Sequence, residues 1–311
     1  MRTECEAPPT SLILRCERKR ASKDARPSPA PLPWRGASRH YVGRIETPGP
    51  EPVFNRLFGK KTPKAPPSTG GRRVYAVGDI HGRHDLLEGL LREIAQDVGA
   101  DPPDAQPILI FLGDYVDRGP GSREVVETIL ALRQRSGFEV RALKGNHEEA
   151  LLRFLDEPTF GSTWAEHGGN ATLASYGVQP PATRTDPEAW AVAREAFGAT
   201  LPGAHKTFYD ELGLITEVGD YAFVHAGVRP GVGLAHQTER DLLWIRGEFL
   251  QASGPFGKVI VHGHTPMEEP QMTPHRLGLD TGAYATGVLT AARLDDGGQK
   301  IIQARVSRVA A

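Results

Sequence analysis

The stretch "VYAVGDIHGRHDLL", Val74 to Leu87, decides how this chain is read. Its first four residues are apolar or aromatic and stop at Gly78-Asp79; His81 follows two positions later. A short run without polar alternation predicts a strand buried on both faces. The continuation "HDLLEGLLREIAQDVG" sets Leu86, Leu87, Leu90, Leu91 and Ile94 on one helical face. The unit is therefore a strand, a turn carrying a carboxylate and an imidazole, and an amphipathic helix.

The same arrangement recurs along the chain. Ile108–Leu112 runs into Gly113-Asp114 and then Asp117-Arg118-Gly119. Val140–Leu143 leads to Gly145-Asn146-His147-Glu148, Tyr221–Val224 to His225-Ala226-Gly227, and Val259–Val261 to His262-Gly263-His264-Thr265. Between these runs, "GSREVVETILALRQRSG" reads as a helix with Ser122 as N-cap. "DPEAWAVAREAFG" reads as a helix with Asp186 as cap, Pro187 at the first position and Gly198 as terminator. Strands alternating with helices predict an α/β domain. The last stretch, "GLDTGAYATGVLTAARLDDGGQKIIQARV", reads as strands joined by tight turns, with Asp296-Gly297-Gly298 as a hairpin loop.

Ligands in open α/β sheets gather at the carboxyl ends of strands. An aspartate after one strand is ordinarily a turn residue, and a lone histidine in an apolar run is ordinarily a core residue. Turn chemistry gives no reason for two aspartates, an asparagine and three histidines to head five such segments. The combination predicts a metal site with oxygen and imidazole donors.

Composition narrows the partners. The chain has 311 residues and a formal net charge of −1, which gives no pull toward nucleic acid or membrane. Both cysteines, Cys5 and Cys16, lie near the N-terminus, so the remainder has no disulfide framework and no thiolate metal site. That fits a reducing cytoplasm. No run of apolar residues is long enough to predict a membrane span, and "MRTECEAPPTSLILRCERKR" is too charged around its short apolar run for a secretory signal. Residues 1–72 are proline-rich, lean basic and lack a sustained period, which predicts a flexible tail ahead of a catalytic domain over 73–311. "VFNRLFGKK", Val53 to Lys61, is the one tail piece with aromatic anchors, and is expected to pack on the domain or form a short helix.

"GDIHGR", "GDYVDRG", "GNHE", "VHAG" and "GHTP" together resemble, in order and spacing, the calcineurin-like metallophosphoesterases, with the phosphoprotein phosphatases of the bacterial and phage-lambda type as the nearest likeness. The resemblance implies a two-sheet β-sandwich flanked by helices, with a dinuclear metal site at the strand ends. It implies one metal on Asp79, His81 and Asp114 and a second on Asp114, Asn146, His225 and His264, Asp114 bridging. Donors of this kind suit two divalent or trivalent ions, Mn²⁺ first, Fe or Zn²⁺ next. His147 resembles the family's general acid and Asp117 its orienting carboxylate; Arg118, and Arg246 in "DLLWIRGEF", resemble its phosphate clamps. His262 would share a strand face with His264 but receives no metal role, and Asp280 in "LDTGA" is read as structural or supporting.

The expected reaction is phosphomonoester hydrolysis by metal-activated hydroxide attacking phosphorus in line, on serine or threonine phosphate of a protein or on a small phosphorylated substrate. The expected protein is a cytoplasmic monomer. The competing reading is a symmetrical diadenosine tetraphosphatase. Those enzymes typically read G-D-x-V-A-R-G and G-N-H-D where this chain has Asp117 and Glu148. A non-catalytic phospho-binding module and a nuclease are lesser alternatives; the complete ligand set speaks against the first and the lack of a basic patch against the second. Thr159–Thr200 is long enough for a substrate lid, and Glu148 and Glu149 are expected to open a helix at its positive end.

Overall fold

The computed structural model describes residues 66–306. The segment Val53 to Lys61, and most of the expected tail, lie outside the described residues. Ser68 and Thr69 are already tied to the domain: the Ser68 backbone N–H donates to Asp220 and the Thr69 backbone N–H to Asp296, at 2.9 and 2.7 Å.

Two five-stranded mixed sheets face each other. The strands are β1 (Val74–Val77), β2 (Ile108–Phe111), β3 (Glu139–Ala142), β4 (Ile215–Val218), β5 (Tyr221–Val224), β6 (Val259–His262), β7 (Gln271–Met272), β8 (Arg276–Gly278), β9 (Val288–Asp295) and β10 (Gly298–Arg305). The first sheet runs β10-β9-β1-β2-β3 and the second β4-β5-β6-β8-β7. β1, β2 and β3 are parallel, as are β5, β6 and β8, so each set ends at one edge of its sheet. β9 and β10 pair antiparallel around Asp296-Gly297, as the turn signal predicts.

The helices are α1 (His84–Ala100), α2 (Ser122–Arg135), α3 (Asn146–Asp156), α4 (Gly161–Glu166), α5 (Gly169–Ser175), α6 (Pro187–Thr200), α7 (Gly203–Asp210), α8 (Glu239–Trp244), α9 (Gly247–Leu250) and α10 (Ala283–Thr286). Among the described residues, none is long and apolar enough to cross a membrane.

Period-two alternation explains why the first sheet has no polar strand residues at its centre. Val74 and Ala76 of β1, with Ile108 and Ile110 of β2, meet Tyr221 and Phe223 of β5 and Val259 and Val261 of β6 in the layer between the sheets. Tyr75 and Val77 point the other way, onto Leu86, Leu87, Leu90 and Ile94 of α1 and Val125, Val126 and Ile129 of α2. Leu91 is only partly buried, at the edge of that stripe. A third cluster packs Val224 and Ile260 against Leu242 and Phe249 of α8 and α9.

Local differences from the sequence reading have plain causes. Ser122 is the first residue of α2, not its cap, because its hydroxyl is taken by the Asp117 backbone N–H at 3.1 Å. α6 passes through Gly198 and ends at Thr200; Asp186 caps its start as expected, accepting from Glu188 and Ala189. The stretch Thr159–Thr200 is not a loose lid. Trp164, Leu173, Trp190 and Phe197 are buried in the main core, with Trp164 stacked on Phe154 of α3 at 4.9 Å.

Candidate metal centre

Asp79, Asp114, Asn146, His225 and His264 stand at or just past the carboxyl ends of β1, β2, β3, β5 and β6, and all are buried. The site is where two parallel edges from different sheets meet. Among the described residues, the non-glycine positions with positive φ are His81 (48°), Asp114 (53°), Asp117 (72°), Arg118 (70°) and His264 (66°). Every one of them is a site residue expected from the sequence. Left-handed backbone of this kind costs on the order of 1–3 kcal/mol per residue, so the surrounding packing must over-determine it.

Asp114 is the hub. Its Oδ2 lies 3.5 Å from His81 Nε2, and its Oδ1 lies 3.4 Å from His225 Nε2. Two groups of ligand atoms therefore converge, His81-Asp114-His147 and Asp114-His225-His264, with Asp114 common to both. The ring tautomers follow from partners that can only accept. His81 Nδ1 faces the Val116 carbonyl at 2.9 Å and His225 Nδ1 the Leu112 carbonyl at 3.0 Å, so both Nδ1 atoms carry the proton. The bare Nε2 of His225 then faces Asn146 Oδ1 at 2.9 Å, and that same oxygen sits 2.8 Å from His264 Nδ1. Asp79 Oδ2 accepts from the His264 backbone N–H at 2.9 Å, while its buried Oδ1 has no partner.

Lone pairs thus converge where hydrogen bonds cannot satisfy them all. Burial holds His225 neutral and lowers His81 to about 3 and His264 to about 2. Burial, with Asp280 and Asp114 nearby, raises Asp79 well above the ordinary carboxylate range. Burial raises Asp280 to about 6. Asp114 itself is held low: burial opposes its charge, but the surrounding imidazoles outweigh it. Acceptors crowded in a dry site are what cations relieve, and the residues fit two of them.

His147 sits at the rim of this centre. Its Nδ1 is 2.6 Å from Asp117 Oδ2, and its Nε2 is 3.9 Å from Asp114 Oδ2 and 3.5 Å from Arg118 Nη2. Burial works against its charge, but Asp114 and the Asp117 hydrogen bond raise it to about 9. Asp117 is fully buried and accepts from Trp164 Nε1 at 2.8 Å and Thr172 Oγ1 at 2.6 Å as well. Arg118 and Arg246 are exposed, and Arg246 lies close enough for its charge to bear on His225 and His264.

Residues 72–288 match the family model described as calcineurin-like phosphoesterase. The chain belongs to that family. Among curated relatives, the bis(5'-nucleosyl)-tetraphosphatase PrpE [asymmetrical] of Geobacillus thermodenitrificans is 28% identical over 238 residues, covering 71% of this chain and 89% of the relative. The protein of that name from Bacillus subtilis (strain 168) is 25% identical over 239 residues, covering 71% and 90%. The relatives' names specify the asymmetrical class, where the sequence reading weighed the symmetrical one. A solved structure described as a candidate diadenosine tetraphosphatase superposes with TM-score 0.52 at 24% identity, over 78% of this chain and 96% of that one. At that identity the likeness speaks to the fold.

Within this calcineurin-like frame, three side chains extend the expected list. Glu148 lies in the first turn of α3, as expected, and is fully buried there. Its carboxylate accepts from the backbone N–H groups of Asp114 and Tyr115 at 2.8 Å each and Gly145 at 2.9 Å. It therefore clamps the Asp114 loop to the start of α3. Gly145 has to be glycine there, since a Cβ would lie 2.1 Å from Asp114 Oδ1. Trp164 and Thr172 are the others, through Asp117. His262, by contrast, ends β6 with its ring against Phe249 and joins neither ligand group; the left-handed turn at His264 breaks the face the two were expected to share.

Glu148→Gln keeps one acceptor and turns an amide NH₂ toward backbone donors. It is expected to lower unfolding free energy by about 1–3 kcal/mol, the cost of orphaning a buried donor, in denaturant unfolding of the metal-free protein. Wild-type stability in the variant would show that the clamp is not needed.

Proposed function

We propose that this calcineurin-like phosphoesterase is a dinuclear-metal phosphatase acting on serine and threonine phosphate in proteins. The observation that carries the metal chemistry is the convergence of acceptors around Asp114, with the two oxygens of one carboxylate facing two separate ligand groups. One cation would be held by Asp79, His81 and Asp114, the other by Asp114, Asn146, His225 and His264. Nitrogen and oxygen donors without sulfur favour Mn²⁺, with Fe and Zn²⁺ as alternatives. When bound, the pair supplies Lewis acidity toward the phosphoryl oxygens and a nucleophilic water at neutral pH.

The chain's own residues do the rest. The planar guanidinium groups of Arg118 and Arg246 match the non-bridging phosphate oxygens. His147, charged through Asp114 and Asp117, presents Nε2 at the rim and gives its proton to the departing oxygen. Asp117 fixes the ring and stabilises the imidazolium, and Trp164 and Thr172 hold the Asp117 carboxylate in place. A serine or threonine alkoxide is a poor leaving group that requires this proton, which supports the phosphoprotein reading.

A second reading has its own support. The relatives aligned over most of their length are named as dinucleoside tetraphosphatases, so a dinucleoside polyphosphate is the competing substrate. The deciding experiment measures kcat/KM of the Mn²⁺-loaded full chain on a phosphoserine peptide and on diadenosine tetraphosphate. The peptide is expected to be preferred by at least about tenfold, because His147 acid catalysis matters most for an alkoxide. A reversed ratio selects the dinucleotide reading. A metal-loaded protein that hydrolyses neither is not a phosphoesterase of this kind.

A further inference from the structure

We infer that Tyr284 is a positioning residue for Arg118: its ring holds the guanidinium at the rim of the metal centre, ready for a phosphate. The inference rests on the phosphate role proposed for Arg118 and adds what fixes that side chain in place. The Arg118 Cζ lies 4.3 Å from the centroid of the Tyr284 ring. The same ring meets His81 edge-on, 5.3 Å between centroids at 85°, so it spans from the phosphate clamp to an expected metal ligand. Among the described residues, no carboxylate pairs with Arg118; its one side-chain polar neighbour is His147 Nε2, 3.5 Å from Nη2.

Both ends of this contact are built rigidly. Arg118 has left-handed backbone, φ 70°, and its N–H donates to the Gly168 carbonyl at 3.2 Å. A Cβ at Gly168 would meet Arg118 N at 2.7 Å, so that approach requires glycine. Tyr284 lies in α10, a single turn bounded by Gly282 and Gly287, both left-handed. Asp280 Oδ1 accepts from the Gly282 N–H at 2.8 Å, and Thr286 Oγ1 donates to the Thr281 carbonyl at 2.8 Å. Tyr284 is nevertheless 38% exposed, a large ring kept at the mouth of a polar site and not withdrawn into the core.

An unpaired arginine is a long, flexible side chain that gives up rotamer freedom when it clamps an anion. A ring face that already holds the guanidinium removes much of that cost without neutralising the charge, which a carboxylate partner would do. Tyr284 thus orders Arg118 without pairing it to a carboxylate.

The test uses the Mn²⁺-loaded full chain, with inorganic phosphate binding measured by calorimetry and KM and kcat on p-nitrophenyl phosphate. Tyr284→Ala is expected to weaken phosphate binding about three- to tenfold, the range of a partly exposed cation–π contact. KM should rise by a similar factor while kcat stays within about twofold, the split expected for lost uniform binding. Tyr284→Phe keeps the ring face and should behave as wild type. In an Arg118→Ala background, Tyr284→Ala should add nothing. Should the alanine variant fail to fold, Tyr284→Leu keeps bulk without a π face and should show the same loss. Unchanged phosphate affinity in Tyr284→Ala, an equal loss in the Arg118→Ala background, or Phe behaving as Ala overturns the inference. In each of those cases wild-type turnover leaves the phosphoesterase reading standing. A metal-loaded wild-type protein that neither binds phosphate nor turns over overturns that reading, and this one with it.

Discussion

Asp114→Asn is expected to lower turnover by at least about 10³-fold, because each ion contributes several kcal/mol of transition-state stabilisation and this change reaches both. The geometry makes Asp114 different from the other ligands. Its Oδ2 faces His81 and its Oδ1 faces His225, so a single substitution reaches both groups. An asparagine keeps one carbonyl oxygen and turns an NH₂ toward a histidine nitrogen that is itself short of a proton. Asp114's charge adds to the burial that raises Asp79, Asp280 and Glu148, the last two to about 6 and about 8, while Asp114 is itself held low by the imidazoles around it. Mn²⁺ should raise the wild-type melting temperature and leave the variant's unchanged.

A pH dependence follows from the same carboxyl groups. Asp280 and Glu148 have folded values above their ordinary ones, so over that interval the folded chain binds protons the unfolded chain releases. Below about 6.5 the buried histidines His81, His225 and His264, lowered on folding, act in the opposite direction. Metal-free stability should therefore fall as pH rises from about 7 to about 8, where Glu148 loses its proton. Bound cations offset the repulsion, and saturating Mn²⁺ should flatten the slope. A metal-free melting temperature that rises over this interval would contradict the arrangement of charges around Asp114.

The candidate ligands are legible in the sequence because Asp79, Asp114, Asn146, His225 and His264 each follow an apolar run with a glycine close by, and the family resemblance then implies their metal roles. What the sequence hid is what touches from a distance. Trp164 and Thr172 bond to Asp117 across 47 and 55 residues, and no local pattern announces either contact. Glu148 stands where a helix-opening acid is ordinary, so only its burial reveals the clamp. β7 and β8 leave no period to detect because they are only two and three residues long. The left-handed backbone at His81, Asp114, Asp117, Arg118 and His264 is equally silent in sequence, since glycine is the residue that signals such geometry.

His147→Asn is expected to slow phosphoserine peptide hydrolysis by about 10²–10⁴-fold, the usual contribution of a positioned general acid. The loss on p-nitrophenyl phosphate should be far smaller, because an aryl oxide departs without a proton. The contrast isolates the proton from the phosphate contacts. Arg118, next to His147 Nε2, would serve both substrates equally in the proposed clamp role, so its damage should lower both rates together. Asp117→Asn supplies the companion measurement. Asp117 helps hold His147 at about 9, and the acid form is lost as pH rises through that value. Bound cations shift the working value downward by repulsion, but the sign of the change in the variant is fixed: without the Asp117 charge, the alkaline limb of kcat must move to lower pH. The limb should move for the peptide and stay in place for the aryl ester. A shift shared by both substrates would mean that the titrating group sets binding or metal-site charge, and that the leaving oxygen obtains its proton from somewhere other than His147.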